Sequence, residues 1–244
     1  YGKVLNHWGD FESSLLATAL GFGIGLGSLA SGIVSEGKVE LGLVPLGALG
    51  ITIAALIGAH PHLSLYAAMA NFAVLGFFGG VYYVPLNSYI QRSSPDAERG
   101  AYIGTTNMLS FIAMALGSLL HYVLLSWLSF SPAHVFAVLG ALTIGVTIYA
   151  CRTMPEFLLR AINWIFAHSI YRLQTKQASN LPTTGGALLV CNHVSYADAC
   201  LLLAASERPI RFLMYKPIYE HRFIKPFARI AQAIPIASEA NPKE

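Results

Sequence analysis

The chain has 244 residues, of which 55% are hydrophobic and 11% are charged. Soluble domains carry about 25% charged residues, so this composition excludes an ordinary soluble globular protein for most of the chain. The charge is also uneven, because residues 1–151 carry a formal net charge of −2 and residues 152–244 carry +5. This change near Cys151 predicts two parts that lie in different surroundings.

The cysteines and the first residues indicate the setting of the chain. Cys151, Cys191 and Cys200 cannot form an even set of disulfides, and we expect reduced thiols of the kind found in the cytoplasm. The opening stretch YGKVLNHWGDFES is polar and shows no signal peptide. We therefore expect the chain to be a fragment of a longer protein.

Long runs without formal charge dominate the first part of the chain. They cover residues 13–35, 41–59, 63–90 and 100–151. A helix needs roughly 20 apolar residues to cross a bilayer, and the last run is long enough for two crossings with a turn at 126–134. The sequence therefore predicts an all-α membrane bundle of about five transmembrane helices in residues 1–151.

Basic residues in the short loops predict how this bundle is oriented. Lys38 lies in the first loop, and Arg92 and Arg99 flank the third, whereas the second and fourth loops have neither Lys nor Arg. Because Lys and Arg concentrate in cytoplasmic loops, the first and third loops should face the cytoplasm. Residues from 152 onward are then cytoplasmic as well.

Small and polar residues inside the predicted spans have two interpretations that the sequence leaves open. Glycines four residues apart allow helix backbones to approach closely, which suits either bundle packing or sliding in a transporter. Polar side chains in or near spans either bond neighbouring helices or lie exposed in cytoplasmic loops, or else they line a substrate path. The glycine pairs are Gly21/Gly25 and Gly23/Gly27, and the polar residues are Asn71, Asn87, Gln91 and Asn107.

Two segments of this bundle resemble major facilitator transporters. The segment GIGLGSLASGIVSEGKVELGLVPLG (23–47) is similar to the eighth and ninth helices of that family. The segment GFFGGVYYVPLNSYIQRSSPDAERGAYIGTTNMLS (76–110) is similar to the tenth and eleventh helices of its bacterial lysophospholipid transporter branch. The resemblance implies further helices upstream, and we expect this half-bundle not to transport alone.

Residues 152–177 predict an amphipathic helix that follows the last span. Apolar residues recur at helical spacing, Trp164 and Tyr171 suit a membrane interface, and basic residues lie on other faces. We expect an interfacial helix and linker, and an ordinary helix packed on a soluble domain remains the alternative.

Residues 178–244 alternate short apolar runs with helical patterns. This alternation predicts the start of an α/β domain with a parallel sheet. The expected elements are strands at 187–192, 208–215 and 233–238, a helix at 196–206, and a helix at 217–232 that is interrupted at Pro226.

The first strand-to-helix junction holds His193 and Asp198. Ser195 and Asp198 have the spacing of a capping box, in which the carboxylate only satisfies a backbone N–H at the helix start. Alternatively, the loop folds the imidazole onto the carboxylate at the carboxyl end of a strand, where α/β sheets keep their sites. A carboxylate on one ring nitrogen leaves the other nitrogen as a base.

The same junction resembles the glycerolipid acyltransferases. NHVSYAD (192–198) is similar to their His-x-x-x-x-Asp signature, and residues 208–238 are similar to the block that follows it. The likeness is strongest to the bacterial 2-acylglycerophosphoethanolamine acyltransferases, which many bacteria fuse behind the lysophospholipid transporter. Ala237 and Ser238 replace an arginine that many relatives carry, and the glycine-rich block of the family would lie beyond Glu244.

This second resemblance implies a function for the whole chain. It implies lysophospholipid transport coupled to re-acylation of lysophosphatidylethanolamine at the cytoplasmic face of the bacterial inner membrane. His193 would be the general base and Asp198 would orient it. The alternatives are an acyltransferase that its helices only tether, and a transporter with a non-catalytic tail.

The resemblance also implies the partners of the chain. The acyl donor would be a thioester of acyl carrier protein or coenzyme A, the acceptor a lysophospholipid, and the surroundings membrane lipids. We expect no bound cofactor, no metal and no nucleic acid. The candidate substrate-binding residues are Asn192, Arg208, Arg211 and Lys216, and the three basic ones have the alternative of a solvated face or contact with anionic lipid.

Overall fold

The computed structural model describes the chain in two compact units, residues Tyr1–Met154 and Pro155–Glu244. The described residues are 3, 6, 8–35, 39–153, 155–171, 173–176, 180–182, 185–195, 197–206, 208 and 210–237.

The described residues of the first unit contain five apolar helices. They are α1 (Asp10–Ser35), α2 (Leu43–Gly58), α3 (Leu65–Ser93), α4 (Arg99–Tyr122, which continues as a π-helical turn over Val123–Trp127) and α5 (Pro132–Thr153). By length and composition, α1, α3, α4 with its π-helical turn, and α5 can cross a membrane. The fold thus has the predicted membrane bundle.

Helix α2 is shorter than the predicted span at 41–59. Its 16 residues extend over about 24 Å at 1.5 Å per residue, whereas the hydrocarbon core is about 30 Å thick. The chain turns at Leu41 and Gly42 before the helix, and Pro61 disfavours a helical conformation at His60 after it. The expectation of five full-length spans is therefore met by four such helices and one short one.

Helices α1 and α3 approach each other through glycines. Gly23 and Gly27 lie against the backbone of Ala73 and Phe77, so closely that a Cβ atom at either glycine would overlap a carbonyl group. Gly76 and Gly80 of α3 face the α1 backbone in the same way. The prediction from the Gly23/Gly27 pair is confirmed.

The other predicted pair, Gly21 and Gly25, does not lie at this contact. A Cβ atom at either position would meet nothing within 4 Å. Helix α1 has 3.6 residues per turn, so residues two apart point in quite different directions and only one of the two pairs can face α3.

Buried polar side chains join α2 to α3 and to α5. The Asn71 side-chain amide on α3 donates a hydrogen bond to the carbonyl of Ala54 on α2, at 3.1 Å. The hydroxyls of Thr52 on α2 and Thr147 on α5 are 2.9 Å apart. For Asn71, the interpretation as an inter-helix bond is therefore confirmed.

The described residues of the second unit begin with a helix, and a parallel pair of strands lies near their end. Its elements are α6 (Pro155–Ile170), α7 (Asp198–Ala205), β1 (Leu213–Tyr215), α8 (Lys216–Tyr219), α9 (Lys225–Ile230) and β2 (Ile234–Ile236). β1 and β2 pair in parallel, with Leu213 opposite Ile234 and Tyr215 opposite Ile236. The parallel α/β arrangement predicted for this part is confirmed.

Two predicted elements of this unit differ from the structure. The prediction of a strand at 187–192 is wrong, because these residues are irregular and exposed. A strand without a neighbouring strand would leave its backbone N–H and C=O groups unpaired. The helix expected at 217–232 is split into α8 and α9. Helix α9 starts at Lys225 and carries Pro226 in its first turn, where a missing N–H breaks no helical bond.

Candidate functional site

His193 and Asp198 lie in contact at the start of α7. The Nδ1 atom of His193 is 3.1 Å from the Oδ2 atom of Asp198. His193 belongs to the irregular segment before the helix, and Asp198 is the first residue of α7. The His193 side chain is 71% exposed and that of Asp198 is 24% exposed. The imidazole is therefore open to an incoming molecule, while the carboxylate is largely shielded from solvent.

Two backbone groups also bind the Asp198 carboxylate. Its Oδ2 atom accepts hydrogen bonds from the N–H groups of Val194, at 2.7 Å, and Ser195, at 2.9 Å. The N–H of Ser195, then that of Val194 and to a smaller extent His193, lower the pKa of Asp198 below its ordinary value. The side chain is therefore an ionised carboxylate at neutral pH, which can accept but not donate hydrogen bonds.

The capping box predicted at this place is present in part. As in that motif, the carboxylate reaches back to the backbone N–H of Ser195. The Ser195 hydroxyl, however, accepts from the N–H of Ala197, at 3.2 Å, rather than from that of Asp198. The cap and the contact with His193 occur together, because Oδ2 of Asp198 accepts the bonds of both in the same structure.

This geometry determines which ring nitrogen of His193 is available. Because the carboxylate can only accept, neutral His193 must carry its proton on Nδ1 and donate it to Asp198. The lone pair then lies on Nε2, on an exposed ring. A histidine held in this tautomer by a carboxylate can take a proton from a hydroxyl group and is stabilised as the imidazolium that results.

Among its described residues, the structure shows no bond between the four candidate binding residues and this pair. Within the described part of the chain, no hydrogen bond joins Asn192, Arg208, Arg211 or Lys216 to His193 or Asp198. Asn192 adjoins His193 in sequence and is exposed, as are Arg211 and Lys216.

Arg208 has a structural role that the sequence did not indicate. Its guanidinium donates hydrogen bonds to the carbonyls of Pro182, at 2.6 Å, and Gly185, at 2.5 Å. These bonds connect Arg208 to the loop that precedes the His193 segment, and they use two of the five N–H donors of its guanidinium.

Asn163 is a further residue that sequence reasoning missed. Its side-chain amide donates a hydrogen bond to the carbonyl of Cys200 in α7, at 2.6 Å, and the residue is 9% exposed. A polar residue between apolar ones on an amphipathic helix was the available signal. The contact fastens α6 to the helix that carries Asp198.

The first unit has a cavity at the ends of its helices. It has a volume of about 490 Å³ and lies between the end of α1, the last turns of α3 and the start of α4. Ser35, Ser88, Gln91, Arg92 and Arg99 are among its lining residues. Gln91 thus lines a cavity, and the interpretation of this residue as part of a substrate path stays a prediction.

Comparison with protein families follows the same division. Residues 4–163 match the family model described as Major Facilitator Superfamily, and residues 172–243 match the model described as Acyltransferase. The chain therefore belongs to the major facilitator superfamily and continues into an acyltransferase domain. It spans the junction at which a transporter of this superfamily is fused to an acyltransferase, as the two resemblances predicted. No curated protein and no solved structure matches the chain.

Proposed function

We propose that the protein re-acylates a lysophospholipid at the membrane, with His193 as the general base. The observation that supports it most is the 3.1 Å contact between His193 and Asp198 in the part that matches the acyltransferase family. In a neutral ring this contact places the proton on Nδ1 and the lone pair on Nε2. A membrane protein that joins a transporter to an acyltransferase has a lipid as its natural acceptor.

The proposed reaction transfers an acyl group from sulfur to oxygen. Nε2 of His193 takes the proton of a glycerol hydroxyl while the hydroxyl oxygen attacks the thioester carbonyl. The C–S bond then breaks, and the imidazolium returns its proton to the thiolate that leaves. Asp198 stabilises the imidazolium through Nδ1, and a base of this kind accelerates a reaction about 10²–10⁴-fold. No nucleophilic Ser or Cys is needed.

The acceptor we propose is lysophosphatidylethanolamine, and the donor is the thioester of acyl carrier protein or coenzyme A. Both donors carry phosphate and one of them is an acidic protein. Arg211 and Lys216 are exposed cations in the same unit and suit such a donor. The loop charges support an orientation with the acyltransferase domain in the cytoplasm, where both donors occur. The bacterial inner membrane is the location that the resemblance to the bacterial transporters implies.

The transporter part would supply the acceptor. We propose that it moves lysophospholipid to the cytoplasmic leaflet, and that the cavity lined by Gln91, Arg92 and Arg99 lies on the cytoplasmic side of that path. A cavity with arginine in its wall suits a phosphate-bearing headgroup.

An acyl-transfer assay on the intact protein tests the proposal. Purified protein in liposomes is given lysophosphatidylethanolamine, lysophosphatidylcholine or lysophosphatidylglycerol, each with acyl carrier protein and coenzyme A thioesters. We expect diacyl product with lysophosphatidylethanolamine as the best acceptor. Absence of product with every acceptor and both donors contradicts the proposal.

A further inference from the structure

Helix α6 has two unlike sides. On one side, Ala161, Asn163 and Ala167 are buried within the unit, at 3%, 9% and 1% exposure. On the other side, Ile162, Ile165 and Phe166 are 49%, 44% and 52% exposed. Residues three and four apart share a helix face, so the exposed apolar side chains form one surface, which we call the apolar face of α6.

The buried side of α6 is fastened to the helix that carries Asp198. The Asn163 amide donates to the Cys200 carbonyl two residues beyond Asp198. At the start of α6, Glu156 accepts a hydrogen bond from the Gln232 side chain, just before β2. Helix α6 is therefore part of the acyltransferase unit, and its position sets that of α7 and the His193–Asp198 contact.

The short connection between α5 and α6 places the apolar face of α6 close to the membrane. Helix α5 ends at Thr153 and α6 begins at Pro155, so only Met154 separates α6 from a helix that can span a bilayer. The first turn of α6 must then lie at a membrane surface. A helix that presents isoleucine and phenylalanine along one face at that place suits immersion among lipid headgroups and acyl chains. The net charge of +5 on residues 152–244 complements anionic lipids.

We infer that the apolar face of α6 lies in the cytoplasmic surface of the bilayer, and that Asn163 holds the His193–Asp198 contact at a fixed height above it. A lysolipid can then present its glycerol hydroxyl to His193 while its acyl chain stays in the bilayer. The bilayer is the one occupant of this face that we propose. The part of this inference that concerns the reaction rests on the proposed function. The part that concerns the position of α6 does not.

The position of α6 is tested by lipid quenching. In a variant whose three native cysteines are replaced by alanine, Phe166→Cys or Phe227→Cys carries an environment-sensitive fluorophore, and the protein is placed in liposomes with brominated lipids. Phe227 is the matched control, an exposed phenylalanine of the same unit on α9. We expect quenching at 166 and little at 227. A fluorophore at 166 that only an aqueous quencher reaches, or that neither quencher reaches, overturns the inference, because the face is then solvated or covered by protein.

The effect on the reaction separates membrane docking from folding. We expect Phe166→Glu to raise KM about tenfold for a long-chain lysolipid in liposomes, and to leave turnover of a short-chain monomeric lysolipid within about twofold. Phe227→Glu should change neither. Equal loss with both acceptors in Phe166→Glu overturns the inference. If wild-type protein acylates no acceptor, the proposed function fails, while the quenching result still decides where α6 lies.

Asn163 is tested as a positioning residue. Asn163→Asp removes the donor to Cys200 and places a negative charge beside its carbonyl, so we expect kcat to fall about tenfold with either acceptor while KM changes little. Asn163→Gln keeps a donor amide and should restore most of kcat. Wild-type kcat in Asn163→Asp, or an equal loss in both variants, contradicts the role given to this bond.

Discussion

One carboxylate oxygen of Asp198 supports both a helix start and a histidine. Oδ2 accepts from two backbone N–H groups and from the His193 ring. The backbone bonds fix the position of the carboxylate before any substrate arrives, and the carboxylate in turn fixes the ring. The cap therefore contributes to the geometry of the candidate site as well as to the start of α7.

Asp198→Asn separates these two roles. The amide keeps an acceptor for the backbone but loses the charge that stabilises a protonated His193, and it can hold the ring in the wrong tautomer. We expect activity to fall at least about 10²-fold with little change in thermal stability. Both quantities are measured on the same purified variant.

Ser195→Ala is the control for the cap. It removes the hydroxyl that accepts from Ala197 and leaves the three bonds to Asp198 in place. We expect most of the activity to remain. Comparable loss of activity in Ser195→Ala and Asp198→Asn would mean that activity depends on the cap at the start of α7 and not on the charge of Asp198.

The lowered pKa of Asp198 predicts how the site responds to pH. A depressed pKa contributes stability above the unfolded-state value near 3.8, and this contribution is lost as the pH falls through the lower folded-state pKa. Between about pH 5 and pH 8 the carboxylate stays ionised, so its bonds to Val194, Ser195 and His193 persist across that range. We expect circular dichroism and thermal stability to stay unchanged between these pH values, and the stability to fall only below about pH 4. Unfolding over the same pH range would contradict this account.

At the scale of elements, the pattern of apolar residues and the polar loops between apolar runs predicted the helices better than the strands. Long uncharged runs require helices because a bilayer offers the backbone no other partner, so five helices could be placed from the sequence. The strand expected at 187–192 failed because pairing depends on a neighbouring strand, and an apolar run alone does not supply one. Spacing left a capping box and a contact between His193 and Asp198 as alternatives, and the resemblance to the acyltransferases favoured the contact. The catalytic role given to it stays a prediction.

Contacts between distant segments could not be predicted in the same way. The bond from Asn163 to Cys200 spans 37 positions, and that from Arg208 to Pro182 spans 26. In both bonds a side chain donates to a backbone carbonyl. Every residue has a backbone carbonyl, so the sequence does not indicate which residue is the acceptor.

The glycine contact between α1 and α3 is tested by a matched pair of variants. Alanine in place of glycine favours a helix by about 1 kcal/mol at either position, but only at Gly27 does the new Cβ meet the backbone of another helix. We expect Gly27→Ala to lower thermal stability in detergent and Gly25→Ala to leave it unchanged or raise it. Equal effects at the two positions would contradict the packing described for α1.

At the scale of the whole molecule, the proposal requires the acyltransferase domain to face the cytoplasm. In a variant that lacks the native cysteines, His62→Cys should react with an impermeant thiol reagent from outside the cell. Ala97→Cys, in the loop that Arg92 and Arg99 flank, should react only after permeabilisation. Both positions are exposed. The reverse pattern would place the acyltransferase domain away from its thioester donor.

The central claim is that His193 acts as the base that activates a lysolipid hydroxyl. The measurement that tests it most directly is acyl transfer to lysophosphatidylethanolamine by the intact protein with His193→Ala. His221→Ala is the matched control, an exposed histidine of the same unit. We predict that His193→Ala loses at least about 10²-fold in rate while it still inserts in the membrane, and that His221→Ala keeps the wild-type rate. A rate above about a tenth of wild type in His193→Ala would contradict the account.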